Sequence, residues 1–292
     1  MIEAKIILDS VSPVEKRLTT FVLTYPRYIH AEFMTHREFS RNASSSRAIP
    51  TTKLIEKVKT DLVVPVYWGK NQAGMVAEEE LDEAAKENCL ALWNKGRDEA
   101  IKKAEALAKV GVHKQIVNRL LEPYSHITVI CSATEWTNFF SLRCAPDAQP
   151  EIRDLAFKML REYYDSTPKL MSMGDFHMPF ITEEDKDLNT KQKQMVSVAR
   201  VARVSYLNHE GKRDIEKDYE LYDRLLKSGH MSPFEHIATP TYHEKEEPYD
   251  PSHFRTQYEG NFKGWTQLRK CLKNEYRTNI PSRNQVEDYF KC

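Results

Sequence analysis

Residues 4–25 read AKIILDSVSPVEKRLTTFVLTY, and this stretch decides the class of fold. Two short, β-branched and partly alternating runs, 4–10 and 17–25, flank the segment SPVEK. The spacing predicts two strands separated by a turn. Beyond them the period changes. Tyr28, Ile29, Ala31, Phe33 and Met34 predict a helix within 26–39 that ends at the polar stretch SRNASSSR. Pro50 stops that stretch, and TTKLIEKVKTD (51–61) reads as a short capped helix. VVPVYWGKNQAG (63–74) is a loop by its Pro and Gly punctuation. Residues 77–110, rich in Ala, Glu and Lys, are the clearest helical region, with Gly96 as an expected interruption and charges that mark a solvated face.

The second half continues in mixed order. VHKQIVNRLLEP (112–123) reads as a helix and HITVICSAT (126–134) as a strand by its β-branched content. Pro150 opens a helix through residue 164 in which Ile152, Leu155, Ala156, Met159 and Leu160 share one face. FITEEDKDLNTKQKQ (180–194) is polar and aperiodic, which predicts a surface connection. Two further helices follow at 196–207 and 218–229, the second closed by Gly229. EHIATPTYH (235–243) reads as a strand and TQLRKCL (266–272) as a short helix. Strands and helices do not alternate as regular βαβ units, so the expected class is α+β. The organisation expected is a single domain over 1–292, with a helical insertion at about 60–110 and a loop-rich tail from about 244.

Composition narrows the function classes. Hydrophobic residues make up 40% and charged residues 29%, with 43 Lys and Arg against 43 Asp and Glu. That balance excludes intrinsic disorder and a globally basic binder of nucleic-acid polymers. No apolar run approaches the ~18 residues of a membrane span, and no membrane partner is expected. MIEAKIILDS has no apolar block before a small-residue cleavage site, so no secretory leader is expected. The cysteines Cys89, Cys131, Cys144, Cys271 and Cys292 are scattered and form no CxxC, which fits a reducing cytoplasm.

Three constellations carry chemistry. THREFSRNASSSR (35–47) gathers one His, three Arg, one Asn and four Ser, and a Ser-rich loop with Arg forks suits a phosphate. In NFFSLRCAPDAQPEIR (138–153), Arg143 follows an apolar run and needs a carboxylate or a ligand for company; Asp147 and Glu151 are the local carboxylates. In GHMSPFEH (229–236), His230 and His236 stand six apart, the wrong spacing for two ligands on one helical face, so no metal is expected. GxGxxG, Walker and GxSxG signatures are absent.

Together the three resemble the flavin-dependent thymidylate synthases. The family motif RHRxxSxNxxSxR is matched at His36, Arg37, Ser40, Asn42, Ser45 and Arg47. Its NFLxLR and AQxEI segments are matched at Asn138, Leu142, Arg143, Ala148, Gln149, Glu151 and Ile152. AARVS is matched at Ala202, Arg203, Val204 and Ser205, and GHxTPFEH at Gly229, His230, Ser232, Pro233, Phe234, Glu235 and His236. The last two segments precede the first in familiar members and follow it here, so the order resembles a circular permutation.

The resemblance implies an antiparallel or mixed sheet packed with long helices. It also implies an enzyme, a homotetramer with sites between subunits, that converts dUMP to dTMP with methylenetetrahydrofolate as one-carbon donor and FAD reduced by NADPH. Carried over by position, the flavin contacts are Thr35, His36, Arg37, Glu38, Ser132, Thr134, Asn138, Ser205 and Ser232. The dUMP contacts are Glu32, Ser44, Ser45, Ser46, Arg47, Arg119 and Arg143, with Arg143 catalytic. Thr35 stands where the motif has its first Arg, Glu32 where a Gln is usual, and Ala43 where a Glu is usual. Ser132, Ala133 and Thr134 replace an Asn-Ala-Arg. A carboxylate near a phosphate weakens binding unless His30 or Arg41 offsets it. Two rivals share the scaffold: a pyrimidine deoxynucleotide hydroxymethylase, and a catalytically silent flavin- or nucleotide-binding homologue.

Overall fold

The computed structural model describes residues 1–206, 214–241, 259–273, 275 and 280–290. In chain order the strands and helices are β1 (Glu3–Val11), β2 (Arg17–Pro26), α1 (His30–Met34), β3 (Ser40–Ala43), α2 (Thr51–Thr60), α3 (Glu83–Val110), α4 (Lys114–Val117), β4 (His126–Ala133), α5 (Thr137–Arg143), α6 (Pro150–Asp165), β5 (Lys169–Leu170), α7 (Thr190–Ala202), α8 (Ile215–Ser228), β6 (Ala238–Pro240), β7 (Trp265–Gln267) and α9 (Arg283–Tyr289). The α+β class expected from the sequence is the one observed. A five-stranded sheet has the order β3-β4-β2-β1-β5, antiparallel except for the β1–β5 edge, and β6 and β7 form a separate pair.

The period of two in β2 and β4 gives the sheet two different faces. Phe21, Leu23 and Tyr25, with Ile127, Val129 and Cys131, point to one side and pack on Ile152, Leu155, Ala156 and Met159 of α6 and on Phe139 of α5. The intervening Ile130 points to the other side, against Val201 and Val204 at the end of α7. Each such side chain, fully enclosed, stabilises the fold by about 1.5–3 kcal/mol before entropy is charged against it. The helix α3 joins this body through a second cluster: Ile101 and Ala104 meet Leu54 and Val58 of α2, with Val117 and Leu121. Gly96 does not interrupt α3. A Cβ there would stand 2.6 Å from the Tyr124 hydroxyl, so the glycine serves a close approach inside a continuous helix.

Several sequence expectations are corrected. The helix expected within 26–39 is a 3₁₀ turn, Arg27–Ile29, followed by the five residues of α1, and the polar stretch after it contains β3. Residues 77–82 precede α3, whose N-cap is Asp82. Half of 112–123 is 3₁₀ rather than α: after α4 the chain continues as a 3₁₀ helix, Asn118–Tyr124, that contains Pro123. The polar run 180–194 is more than a surface connection. Its Asp185 is buried, takes a forked pair from Arg200 at 2.6 and 2.8 Å, and lies one turn before α7 begins at Thr190. In TQLRKCL, Thr266 and Gln267 complete β7 and Leu268–Cys271 form a 3₁₀ turn. Among the described residues of EHIATPTYH only Ala238–Pro240 is strand, paired with β7; Ala238 also packs with Leu18 of β2, while Tyr242 and His243 lie outside the described residues.

Candidate functional site

The strand β3 organises the site. It is the outer strand of the five-stranded sheet, pairing with β4 from Ser40–Ser132 to Ala43–Val129. Its Asn42 is the junction of three segments distant in sequence. The Asn42 amide donates to the Val201 carbonyl at 2.8 Å, and its Oδ1 accepts from the Ser232 hydroxyl at 3.1 Å. The ARV end of α7 and the GHMSPFEH turn are thereby fastened to the loop that follows α1. Ser40 is buried under the tail and accepts from Gln267, which also bonds the Glu235 carbonyl.

Between β3 and α8 lies a cavity of about 560 Å³ lined by Arg41, Asn42, Ser45, Arg224, His230 and Ser232, among others. Its lining mixes apolar side chains with two arginines and carries no carboxylate, which suits an anionic ligand, and the volume lies in the range of small-molecule sites. A larger cleft of about 1140 Å³ lies between the loop before α3 and the start of α6. Its charged lining is Glu78, Asp147, Glu151, Asp154 and Arg153, and Arg153 donates to the Pro146 carbonyl. That balance disfavours a phosphate, so size alone does not identify the site.

Arg143 ends α5 and turns toward α1. Its Nε donates to His36 Nε2 at 2.9 Å, and its Nη2 makes a long 3.4 Å contact with the Thr35 hydroxyl. Neither Asp147 nor Glu151 pairs with it; Glu151 is buried and accepts from the Tyr28 hydroxyl and the Val66 amide, each at 2.9 Å. His36 stacks on Phe39 and meets Phe139 edge-on. Burial first, then the Arg143 and Arg41 guanidiniums, pull its pKa down to about 4, so the ring is neutral at pH 7.

The serine loop is held from below. The Ser44 hydroxyl accepts the Thr128 amide, and the Ser44 carbonyl accepts from Arg27. Ser46 donates to Glu122 at 2.5 Å, and Arg119 pairs with the same carboxylate at 3.0 Å. Ser44, Ser46 and Arg119 thus gather near one another, whereas Arg47 is exposed at the loop's end. For Arg119 to meet a phosphate its ion pair must open. The two groups expected to offset Glu32 are committed elsewhere. His30 is held uncharged, its pKa near 4 through burial and then Arg27 and Arg41, and Arg41 donates to the Met34 and His36 carbonyls at the end of α1. Glu32 Oε2 is buried with no hydrogen-bond partner among the described residues.

The expected flavin positions divide. Thr35, Arg37, Glu38 and Asn138 are exposed and His36 half-buried around α1 and the start of α5; Ser232 lines the smaller cavity. Thr134 is half-buried and accepts the Lys263 amide. Ser132 differs. It is fully enclosed between Thr20 at 2.6 Å and His236 at 2.8 Å, so its hydroxyl reaches no open surface. The side chain of Ser205 lies outside the described residues. Thr35, Arg37, Glu38 and Asn138 are thus open to a ligand and Ser232 reaches the smaller cavity, whereas the enclosed Ser132 does not fit a flavin contact.

Sequence reasoning missed Arg224, which reaches the cavity from α8, and Gln267, which bonds Ser40 and the Glu235 carbonyl, because each arrives only through packing. Neither α8 nor the tail carries a motif that flags them.

No curated protein matches the chain in sequence. Among solved structures, two of a UMP/dUMP methylase PolB from Streptomyces cacaoi are similar to it. The form bound with 5-Br UMP aligns at a TM-score of 0.46 with 16% identity, covering 56% of this chain and 88% of that one. The form bound with 5-Br dUMP aligns at 0.45 with 14% identity, covering 56% and 90%. Among the described residues no helix is long and apolar enough to cross a membrane. Residues 3–169, more than half of the 292 and including both the serine–arginine loop and the segment of Arg143, match the family model of the thymidylate synthase complementing protein, and the chain belongs to that family.

Proposed function

We propose that the protein is a flavin-dependent thymidylate synthase. It converts dUMP to dTMP, taking the one-carbon unit from methylenetetrahydrofolate and the hydride from FAD reduced by NADPH, in a homotetramer. The observation that carries this reading is the junction at Asn42, where three family segments from distant parts of the chain are bonded together beside the smaller cavity. A merely structural coincidence would not collect Arg41, Arg224, His230, Ser45 and Ser232 around one space.

The flavin, when bound, would supply the hydride, and Thr35, His36, Arg37, Glu38, Thr134, Asn138, Ser205 and Ser232 are the residues that would hold it. Ser45 and Arg47 hold the phosphate of dUMP, with Ser44 and Ser46 shaping the loop and Arg119 joining when Glu122 releases it. Carbon 5 of a neutral uracil is a poor nucleophile. Arg143 lies against the imide edge, keeps its charge at any working pH and offers a planar fork to the negative charge that develops there. The test is direct: purified protein is incubated with FAD, NADPH, methylenetetrahydrofolate and dUMP, and the product is weighed by mass spectrometry. dTMP is expected. A hydroxymethylated nucleotide would identify the hydroxymethylase instead, and absence of a flavin spectrum with excess FAD would end the reading.

A further inference from the structure

We propose that His36 and Thr35 form a positioning pair for Arg143, fixing the plane of its guanidinium from the Nε side so that the Nη edge is presented to the ligand. The inference rests on the reading of Arg143 as a substrate-binding residue. An arginine at the end of a seven-residue helix has four rotatable side-chain bonds, and a fork that must first be ordered by its ligand binds more weakly than one ordered beforehand.

The geometry supplies that ordering. The donor at Nε leaves only one consistent state for the imidazole: Nε2 must hold a lone pair, so the ring is neutral and its proton sits on Nδ1. The ring itself has little freedom. Phe139 meets it edge-on with centroids 4.9 Å apart, Phe39 stacks at 5.8 Å, and both phenylalanines are buried. Arg41 donates to the His36 carbonyl at 2.9 Å and so fixes the backbone beneath the ring. Thr35 completes the arrangement in the same sense. Its hydroxyl donates to the Glu32 carbonyl at 2.6 Å, which leaves the oxygen lone pairs toward Arg143 Nη2 at 3.4 Å. Among the described residues Nη1 of Arg143 has no hydrogen-bond partner, so one full face of the fork is open. The departure at position 35 has a reason here: an arginine there would set a second cation beside Arg143, whereas threonine offers an acceptor.

Two experiments separate this role from a purely structural one. In the first, two-bond ¹H–¹⁵N spectra of the imidazole are recorded for the wild-type protein and for Arg143→Met. The expected result is an Nδ1–H tautomer in the wild type, with a pKa that rises by about half a unit or more when the guanidinium is removed. An Nε2–H tautomer, or a titration unchanged by Arg143→Met, would overturn the pairing, and this arm needs no turnover at all. In the second, dUMP and FAD dissociation constants are measured for His36→Phe and His36→Asn. The phenylalanine keeps a flat ring without an acceptor, and dUMP binding should weaken about tenfold, with asparagine restoring most of the loss through its carbonyl. FAD binding should change less than dUMP binding. Equal losses for both ligands, unrescued by asparagine, would leave His36 with the flavin contact alone and refute the positioning role. If no dTMP is formed but the tautomer and the selective dUMP effect are found, the assigned reaction fails and the positioning pair stands.

Discussion

Lowering the pH from 7 to 5 should remove about 4 kcal/mol of stability through two histidines that no solvent reaches. His177 and His236 are fully buried at either end of a polar chain that crosses β2 and β4. Ser10 meets His177 Nδ1 at 2.9 Å, His177 Nε2 meets Thr20 at 2.8 Å, Thr20 meets Ser132 at 2.6 Å, and Ser132 meets His236 Nδ1 at 2.8 Å. Burial holds both rings down to about 3, and for His177 the neighbouring His236 adds to the effect. In the unfolded chain both return to about 6.5. Between those values the unfolded state binds two more protons than the native one, so this stabilisation is complete above pH 6.5 and declines as the pH falls toward 3. At pH 5, about 1.5 pH units below 6.5, each ring has cost the fold about 2 kcal/mol. Urea unfolding at pH 7 and pH 5, analysed at constant m, measures the total for all titrating groups. His30 and His36, also held down by burial, act in the same sense, and Asp218, whose carboxyl is raised by burial, in the opposite one, so the diagnostic is the difference between wild type and His236→Gln. The variant should show a pH effect smaller by about 2 kcal/mol. Equal pH effects in the two proteins, or a native His236 that titrates near 6.5, would refute the reasoning.

Arg47→Ala should raise the dissociation constant for dUMP at least tenfold, about 1.4 kcal/mol, with FAD affected much less; equal losses in a titration of both ligands would make the residue structural. Arg143→Lys keeps the charge and loses the fork, so single-turnover dTMP formation should fall about 100-fold or more while flavin stays bound; a dead Ser45→Ala beside a near-normal lysine variant would reverse the two roles. Asp185→Ala strands the half-buried Arg200 guanidinium and should cost about 3 kcal/mol in urea unfolding; a loss under about 1 kcal/mol would mean that Asp218, 3.6 Å from Arg200 Nε, suffices alone.

Local signals in the sequence were sufficient for the elements whose burial pattern repeats along the chain. The partly alternating run 17–25 and the β-branched run 126–134 mark β2 and β4, and the apolar face of α6 is the set Ile152, Leu155, Ala156 and Met159 that packs on them. Gly229 at φ 70° closes α8 as its position predicts, because a left-handed residue ends a helix at little cost only when it lacks a Cβ. The residues of the serine–arginine loop and Arg143 were visible as chemistry. Their partners were not. β3 is four residues of polar sequence with no alternation, and it is a strand because β4 offers it an edge. Arg143 had two carboxylates near it in sequence and took neither; helix α5 aims it at His36, 107 positions away. Ser132 matched a flavin position, yet its place on the enclosed face of β4 commits it to Thr20 and His236. The sequence by itself determined the longer elements, β1, β2, β4, α3 and α6, and which side chains carry charge and donors, since propensity and period act between near neighbours. Which donor meets which acceptor is decided by the tertiary structure alone, because burial withdraws water from every alternative and leaves each polar group only the partner that packing brings within reach.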